Sequence, residues 1–148
     1  NAIKRQEKID RGLDPDDDSA LKDMPAATAP LHQAYNYQKD AAKQGFDWPD
    51  ISGVRAKITE EMAELEEAEA SGNREAMEHE LGDLLFALVN LARWHKIQPD
   101  MALRKANTRF RDRFHLVEAD FKNRGVEMKD AGIEALEASW QRAKRELS

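Results

Sequence analysis

The amino-acid sequence predicts an all-α protein, an antiparallel bundle of about five helices. The 148 residues include only seven glycines and five prolines, and the chain is rich in Ala, Glu, Leu, Lys and Arg, a composition typical of helical proteins. Apolar residues recur at three- and four-residue intervals along successive segments, which is the spacing of amphipathic helices. The connections between these segments are short, and short connections favour antiparallel neighbours.

Charge and composition exclude several classes of function. A formal net charge of −6 argues against stable binding to nucleic acid or to an anionic membrane, because both require a basic surface. The chain has no cysteine, which excludes a disulfide scaffold, a thiolate metal site and a cysteine nucleophile. No apolar run is long enough to cross a bilayer, and no signal-peptide pattern is present. We therefore expect a cytoplasmic protein with no membrane or nucleic-acid partner.

Residues 1–24 are predicted to be a linker or tail. Residues 4–8 match no more than a frayed helical turn, and Gly12 and Pro15 then interrupt regular structure. The polar composition and a run of three aspartates indicate a mobile or loosely docked segment. We therefore place the folded domain at residues 25–148.

The first two helices of that domain follow Pro30 and Asp50. The first is predicted to end at Gly45, a residue suited to the left-handed conformation at a helix C-terminus. The second is capped by Asp50 or by the serine two residues later. Its apolar stripe is Ile51, Val54, Ile58, Met62 and Leu65. Glu61 falls inside this stripe and Glu64 on its flank. A carboxylate in a core stripe is unfavourable unless it is paired or bound to a metal, so Glu61 is the first sign of a functional acid.

The third helix is predicted to begin after Asn73, a favoured N-cap residue. From Leu81 onward it is apolar on nearly every side, which predicts a central helix buried by its neighbours. Glu80 and Asp83 lie on this helix one turn apart. Solvation does not explain acids embedded in so apolar a helix, so a functional role is favoured for both.

The fourth helix is predicted from Pro99 to about residue 124, and the fifth follows Asp130. The predicted core stripe of the fourth helix is Leu103, Ala106, Phe110, Phe114, Val117 and Phe121. Beside this stripe runs a row of cations at four-residue spacing: Lys105, Arg109 and Arg113. The cations fit either a solvated helix flank or a phosphate-binding row. On the fifth helix, Trp140 fits either a core position or a base-stacking platform, and Lys144, one turn beyond, is equally ambiguous.

Four acids are expected to meet where the second and third helices pack. Glu61 and Glu64 are three residues apart, as are Glu80 and Asp83, so each pair lies on one helix face. Two like charges about 4 Å apart repel by about 4 kcal/mol at an effective dielectric constant near 20. Protons or a hard divalent cation must therefore hold the cluster together, and oxygen ligands suit Mg²⁺, with Mn²⁺ as the alternative.

A di-iron centre is the main competing metal site in a helical bundle, and the histidines exclude it. Such a centre requires Glu-x-x-His pairs, and the residue three positions before each of the four histidines is Ala or Asp. We interpret the histidines as structural or solvent-exposed.

The order of these residues resembles that of the MazG-type nucleoside triphosphate pyrophosphohydrolases. The matching motifs are Lys57, Glu60-Glu61-x-x-Glu64, Glu80-x-x-Asp83-Leu-Leu-Phe, Lys105-Ala-Asn107-x-Arg109-Phe110-x-x-Arg113-Phe114 and Trp140-x-x-x-Lys144. The similarity covers about residues 20–147, and the stretch ending in Gly-Phe-Asp-Trp at residues 45–48 looks like the lead-in to the C-terminal domain of a tandem-domain member. The resemblance implies an all-α NTP pyrophosphatase fold, a homodimer, Mg²⁺ dependence, and hydrolysis of nucleoside triphosphates to monophosphates and pyrophosphate.

The resemblance also implies a role for each matching residue. The expected metal ligands are Glu61, Glu64, Glu80 and Asp83. The residues expected to contact phosphate are Lys57, Arg109 and Arg113, and those expected near the nucleotide are Trp140 and Lys144. Glu60 is by default the catalytic carboxylate that orients the attacking water, although a partner of the metal ligands or a salt bridge to Lys57 also fits. Arg109 stands where the family often has Lys, which keeps the charge but changes its reach and hydrogen-bonding geometry.

Two rival functions stay open. One is a related all-α hydrolase with the narrower activity of a dUTP or dCTP pyrophosphatase. The other is a non-catalytic helical module for dimerisation or interaction, whose acids merely keep it soluble and which predicts no effect of divalent ions.

The first residues of the chain are similar in sequence to residues near its end. Residues 140–146 read Trp-Gln-Arg-Ala-Lys-Arg-Glu and residues 1–7 read Asn-Ala-Ile-Lys-Arg-Gln-Glu, with Lys4 aligned on Lys144. We therefore expect residues 1 to about 8 to be the remnant of a preceding domain of the same kind.

Overall fold

The computed structural model describes residues 2–12 and 18–147, and all regular structure within them is helical. The helices are α1 (Ala2–Asp10), α2 (Pro30–Lys43), α3 (Ile51–Ser71), α4 (Arg74–Trp94), α5 (Pro99–Arg124) and α6 (Ile133–Glu146), with a 3₁₀ turn at Met128–Asp130. The predicted all-α class is confirmed. Helices α2 to α6 correspond to the five predicted ones, and α1 is a regular helix where only a frayed turn was expected. Pro15 and residues 1 and 148 lie outside the described residues.

The chain divides into two compact units. The first ends at Asp100 and contains α1 to α4, and the second begins at Met101 and contains most of α5 together with α6. None of the described helices has the length and the apolar run that crossing a bilayer requires.

Helices α3 and α4 form the centre of the first unit. Each has 21 residues and is therefore about 31 Å long. Gly72 ends α3 in the left-handed conformation with φ 71°, and Asn73 caps α4 by accepting a hydrogen bond from the backbone N–H of Ala76 at 3.2 Å. Because only these two residues join helices that pack along each other, the pair is antiparallel, as predicted. Helix α2 packs against α4.

Helix α4 is less buried than its sequence suggested. Four of its large apolar side chains are between 43% and 49% exposed: Leu81, Leu85, Phe86 and Leu88. Only the smaller Ala87 and Val89 are buried. The prediction of a wholly buried central helix is therefore wrong for the single chain, because α4 is apolar on more sides than its neighbours in this chain cover.

The core of the second unit lies at one end of α5. Val117 and Phe121 pack with Ala143 of α6, and Trp140 lies against this cluster. The predicted core stripe is wrong for α5 from its start to Phe114, because Leu103, Phe110 and Phe114 are exposed: each of the three has more than a third of its surface open. Helix α6 has 14 residues against 26 in α5, about 21 Å against 39 Å, so α6 can cover only part of α5.

Candidate metal centre and adjoining pocket

The carboxylate of Glu61 is the most buried acid of the predicted cluster. Its residue is 3% exposed, and its Oε1 lies 3.0 Å from the Nζ of Lys57, one turn earlier on α3. Its Oε2 is also buried and has no hydrogen-bond partner among the described residues. A buried carboxylate oxygen without a partner costs free energy, so this position calls for a proton or a cation.

Glu64 and Glu80 complete the contact between the two helices. A hydrogen bond with the Glu80 carboxyl, together with partial burial and the negative charge of Glu61, raises the pKa of Glu64 to about 7. The pKa of Glu61 is lowered, first by its hydrogen bond with Lys57. Glu80 also has a buried Oε2 without a partner in the described part of the chain. The antiparallel pairing of α3 and α4 thus brings three of the four predicted acids into contact.

Asp83 extends the cluster along α4. Oxygen and nitrogen atoms of His79, Glu80 and Asp83 lie within 4.8 Å of one another, and Asp83 Oδ2 is 3.2 Å from His79 Nε2. A second group with the same spacing is formed by Glu60, Glu61 and Glu64. Because Glu80 contacts both Glu61 and Glu64, the two groups are continuous.

The donor set fits a hard divalent cation. Its donors are carboxylate oxygens, and two of them are buried with no hydrogen-bond partner among residues 2–12 and 18–147. Mg²⁺ and Mn²⁺ prefer such ligands. The residues that would hold the ion are Glu61, Glu64, Glu80 and Asp83. His79 is exposed, as the sequence indicated, but its contact with Asp83 was not expected. The only signal for it was the four-residue spacing of the two residues on one helix.

Lys57 and Glu60 lie at the edge of this cluster on α3. Lys57 Nζ is 3.5 Å from Glu60 Oε1, in addition to its contact with Glu61, and these acids raise the pKa of Lys57, Glu61 foremost. Glu60 is exposed. The geometry includes the salt bridge that the sequence left open as one role of Glu60, and it leaves that carboxylate accessible to solvent.

A largely apolar pocket of about 630 Å³ adjoins the acids, and sequence reasoning missed it. Lys57 lines the pocket and also contacts Glu61, so the two features share a wall. Residues of α2, α4 and the loop before α3 supply most of the rest, among them Tyr37, Phe86 and Trp48, and Leu21 adds a contact from the segment before α2. The Trp48 ring lies over Gly53, where an added Cβ would come within 2.6 Å of it. A side chain at position 53 would therefore displace this wall.

Polar groups at fixed positions interrupt the apolar lining. The Nη2 of Arg93 donates to Asp47 Oδ1 at 2.6 Å and its Nε donates to Asn90 Oδ1 at 2.9 Å. The hydrogen bond with Arg93 lowers the pKa of Asp47. Gln38, which is buried, donates from Nε2 to the Phe86 carbonyl at 2.8 Å. An apolar cavity with a few oriented polar groups is typical of small-molecule sites.

The remaining predicted residues belong to the second unit. Lys105, Arg109 and Lys144 are exposed, and Arg113 is half-buried with an Nε that lacks a hydrogen-bond partner among the described residues. Trp140 is half-buried, and its ring lies 5.4 Å from that of Phe110. Their contacts with phosphate or nucleotide stay predictions.

Comparison with known proteins places part of the chain in a family. Residues 51–116 match the model of the MazG nucleotide pyrophosphohydrolase domain. The matched region includes all four acids of the cluster together with Lys57, Arg109 and Arg113. By this match, residues 51–116 belong to the MazG family.

Three relatives illustrate the similarity. An Escherichia coli protein named nucleoside triphosphate pyrophosphohydrolase is 42% identical over 130 residues, which is 86% of this chain and 49% of that protein. A Thermotoga maritima protein named nucleoside triphosphate pyrophosphohydrolase/pyrophosphatase MazG is 41% identical over 114 residues, 77% of this chain and 44% of that protein. The uncharacterized protein YabN of Bacillus subtilis is 48% identical over 65 residues, 44% of this chain and 13% of that protein. The chain thus spans about half the length, or less, of these relatives.

Proposed function

We propose that this chain is a Mg²⁺-dependent nucleoside triphosphate pyrophosphohydrolase, which converts a nucleoside triphosphate and water to the nucleoside monophosphate and pyrophosphate. The observation that carries the proposal is the buried carboxylate of Glu61. One of its oxygens lies 3.0 Å from the Nζ of Lys57, and the other, beside further acids, has no hydrogen-bond partner among the described residues. The printed names of the Escherichia coli and Thermotoga maritima relatives support the same reaction.

The acids of α3 and α4 are the proposed ligands of Mg²⁺, with Mn²⁺ as the alternative. When bound, the ion supplies positive charge that stabilises the phosphate oxygens and lowers the pKa of a coordinated water. Glu60 is the proposed catalytic carboxylate, because it is exposed and its oxygen lies within 4.8 Å of donors from Glu61 and Glu64. From there it can accept the proton of the attacking water.

Substrate phosphates need cations as well as the metal. Lys57 stands at the junction of the acid cluster and the pocket, where its ammonium group would be within reach of a substrate phosphate. Arg109 and Arg113 are the further proposed phosphate contacts. The assignment of Arg113 is supported by its buried Nε, which has no hydrogen-bond partner in the described part of the chain. Trp140 and Lys144 are proposed to lie near the nucleotide.

The pocket is proposed to bind the nucleoside. Its apolar walls suit a base and a sugar ring, and its shared wall with the acid cluster would put the attached phosphates beside the metal ligands. The polar pair Asn90 and Arg93 would orient the base through hydrogen bonds.

The exposed apolar face of α4 supports a homodimer. Leu81, Leu85 and Leu88 follow one another at intervals of four and three residues, so they form one stripe, and each is nearly half exposed. We propose that a second copy of the chain covers this stripe. Leu85→Glu should convert a dimer to a monomer in size-exclusion chromatography with light scattering, whereas Ile9→Glu, which alters an exposed apolar residue of α1, should not. A wild-type monomer at micromolar concentration would contradict the proposal.

The activity is tested by measuring pyrophosphate released from a panel of ribo- and deoxyribonucleoside triphosphates with Mg²⁺ present. Asp83→Ala should abolish turnover, and wild-type turnover by this variant would contradict the proposed metal site. Activity confined to dUTP or dCTP would favour the narrower pyrophosphatase. Absence of turnover together with absence of any divalent-ion effect on the thermal midpoint would favour the non-catalytic module.

A further inference from the structure

A short segment outside the matched MazG region lies along α2. It consists of residues 21–24, here called the strap. These residues lie within the stretch that was predicted from the sequence to be a linker. The backbone N–H of Lys22 donates to Asp40 Oδ2 at 2.9 Å, and Asn36 Nδ2 lies 3.6 Å from the sulfur of Met24. The strap is thus held to α2 at two points.

The strap reaches the pocket through Leu21. This side chain lines the cavity together with Tyr37, Gln38 and Ala41 of α2. Leu21 is 41% exposed, so its packing against the protein is incomplete. An apolar side chain that borders a cavity and is only half covered has surface available to a ligand, and a ligand that covers it gains hydrophobic contact.

Asp40 is the residue that fixes this arrangement. It is 5% exposed, and a carboxylate buried to that extent must accept hydrogen bonds to offset its lost hydration. The Lys22 N–H supplies one of them from a residue 18 positions earlier in the chain. Because the donor is a backbone group, the bond positions the main chain of the strap directly and does not depend on a flexible side chain.

We propose that the strap is a wall of the nucleoside pocket, that Leu21 contacts the bound nucleoside, and that Asp40 is the positioning residue that holds this wall in place. The inference rests on the proposed function of the pocket. It assigns a role in substrate binding to a segment that was predicted from the sequence to be part of a linker.

Leu21→Ala is the direct test. Because only part of a leucine contact is lost, KM for the best nucleoside triphosphate should rise about 3- to 30-fold while kcat stays within about two-fold, the pattern of lost uniform binding. Ile9→Ala is the matched control, since Ile9 is similarly exposed on α1 and does not line the pocket. An unchanged KM in Leu21→Ala, or an equal rise in Ile9→Ala, would overturn the proposal.

Two variants of Asp40 separate positioning from general stability. Asp40→Ala removes the acceptor, so it should raise KM like Leu21→Ala and speed hydrogen exchange of the Lys22 amide. Asp40→Asn keeps an acceptor oxygen at the same place and should restore both measurements to within about two-fold of wild type. If Asp40→Asn behaved like Asp40→Ala, the hydrogen bond would not be the cause and the positioning role would be refuted.

A binding measurement keeps this inference distinct from the proposed reaction. Each of AMP, GMP, CMP and UMP is added to the metal-free wild-type chain, and hydrogen exchange of residues 21–24 is followed. At least one monophosphate should slow this exchange, and Leu21→Ala should weaken the effect. Slower exchange without pyrophosphate release would refute the proposed hydrolase activity and support the proposed role of the strap. Turnover without any change in exchange at residues 21–24 would refute the role of the strap and leave the hydrolase activity supported.

Discussion

Glu61→Gln isolates the charge on which the proposed metal centre depends. The substitution keeps the shape of the side chain and removes one negative charge from a position that is 3% exposed. At such a site an effective dielectric constant near 20 applies, and a unit charge about 4 Å from another is worth about 4 kcal/mol. The variant also relieves repulsion from Glu64 and Glu80, which offsets part of the loss.

We therefore expect divalent-ion binding to weaken by about 2–3 kcal/mol, or about 30- to 150-fold, at roughly 1.4 kcal/mol per tenfold change. Pyrophosphate release at fixed Mg²⁺ should fall at least as much. In the absence of ions the variant should be less stable than wild type, because the lowered pKa of Glu61 means that the native state favours the charged carboxylate, which pairs with Lys57. The relief of repulsion from Glu64 and Glu80 opposes part of this loss.

The assay is a titration of Mg²⁺ and Mn²⁺ followed by calorimetry and by the thermal midpoint, with Glu66→Gln as the control. Glu66 lies on the same helix and is exposed, so its variant should bind ions like wild type. Equal ion affinity in Glu61→Gln and Glu66→Gln would refute the assignment of Glu61 as a ligand.

Two further predictions concern pH. The pKa of Glu64 is raised to about 7, chiefly by the Glu80 carboxyl, so the native state holds a proton that the unfolded chain has released. The stability of the ion-free protein should therefore fall as pH rises from about 4.5 through 7. Urea unfolding should show this fall, and millimolar Mg²⁺ should remove it; a flat profile without ions would contradict the contact. In the second unit, hydrogen bonds from Ser139 and Arg142 lower the pKa of Asp120 to about 2, so its contribution to stability is present above about 4 and is lost as pH falls toward 2. Asp120→Asn should lower the thermal midpoint at pH 7 but not at pH 2, and an equal loss at both pH values would show that its charge is not responsible.

The sequence predicted the features that depend on local spacing. Helices α2 to α6 were predicted because apolar periodicity and capping residues such as Asp50 and Asn73 act within a few positions of the chain. The burial of Glu61 was predicted because the apolar stripe of α3 passes through its position. The sequence motifs also suggested the MazG family, which the comparisons with known proteins confirm.

The sequence was less informative about which helix faces are covered by the rest of the chain. Periodicity shows that a helix has an apolar side but not which neighbour packs against it, so α4 and the first half of α5 were predicted to be buried although Leu85 and Phe110 are exposed. In the proposed dimer a second copy of the chain would cover the excess apolar surface of α4, and periodicity within one chain does not specify that contact.

Sequence by itself thus determined the helices, the acids they carry and the family, because these follow from residue type and from spacing within one or two turns. Only the tertiary structure decided the pocket and the strap, because their contacts join residues far apart in the chain: Asp47 with Arg93, Gln38 with the Phe86 carbonyl, and Asp40 with the Lys22 amide. No local pattern encodes such pairs. Their geometry exists only once the packing of α2, α3 and α4 has brought these residues together.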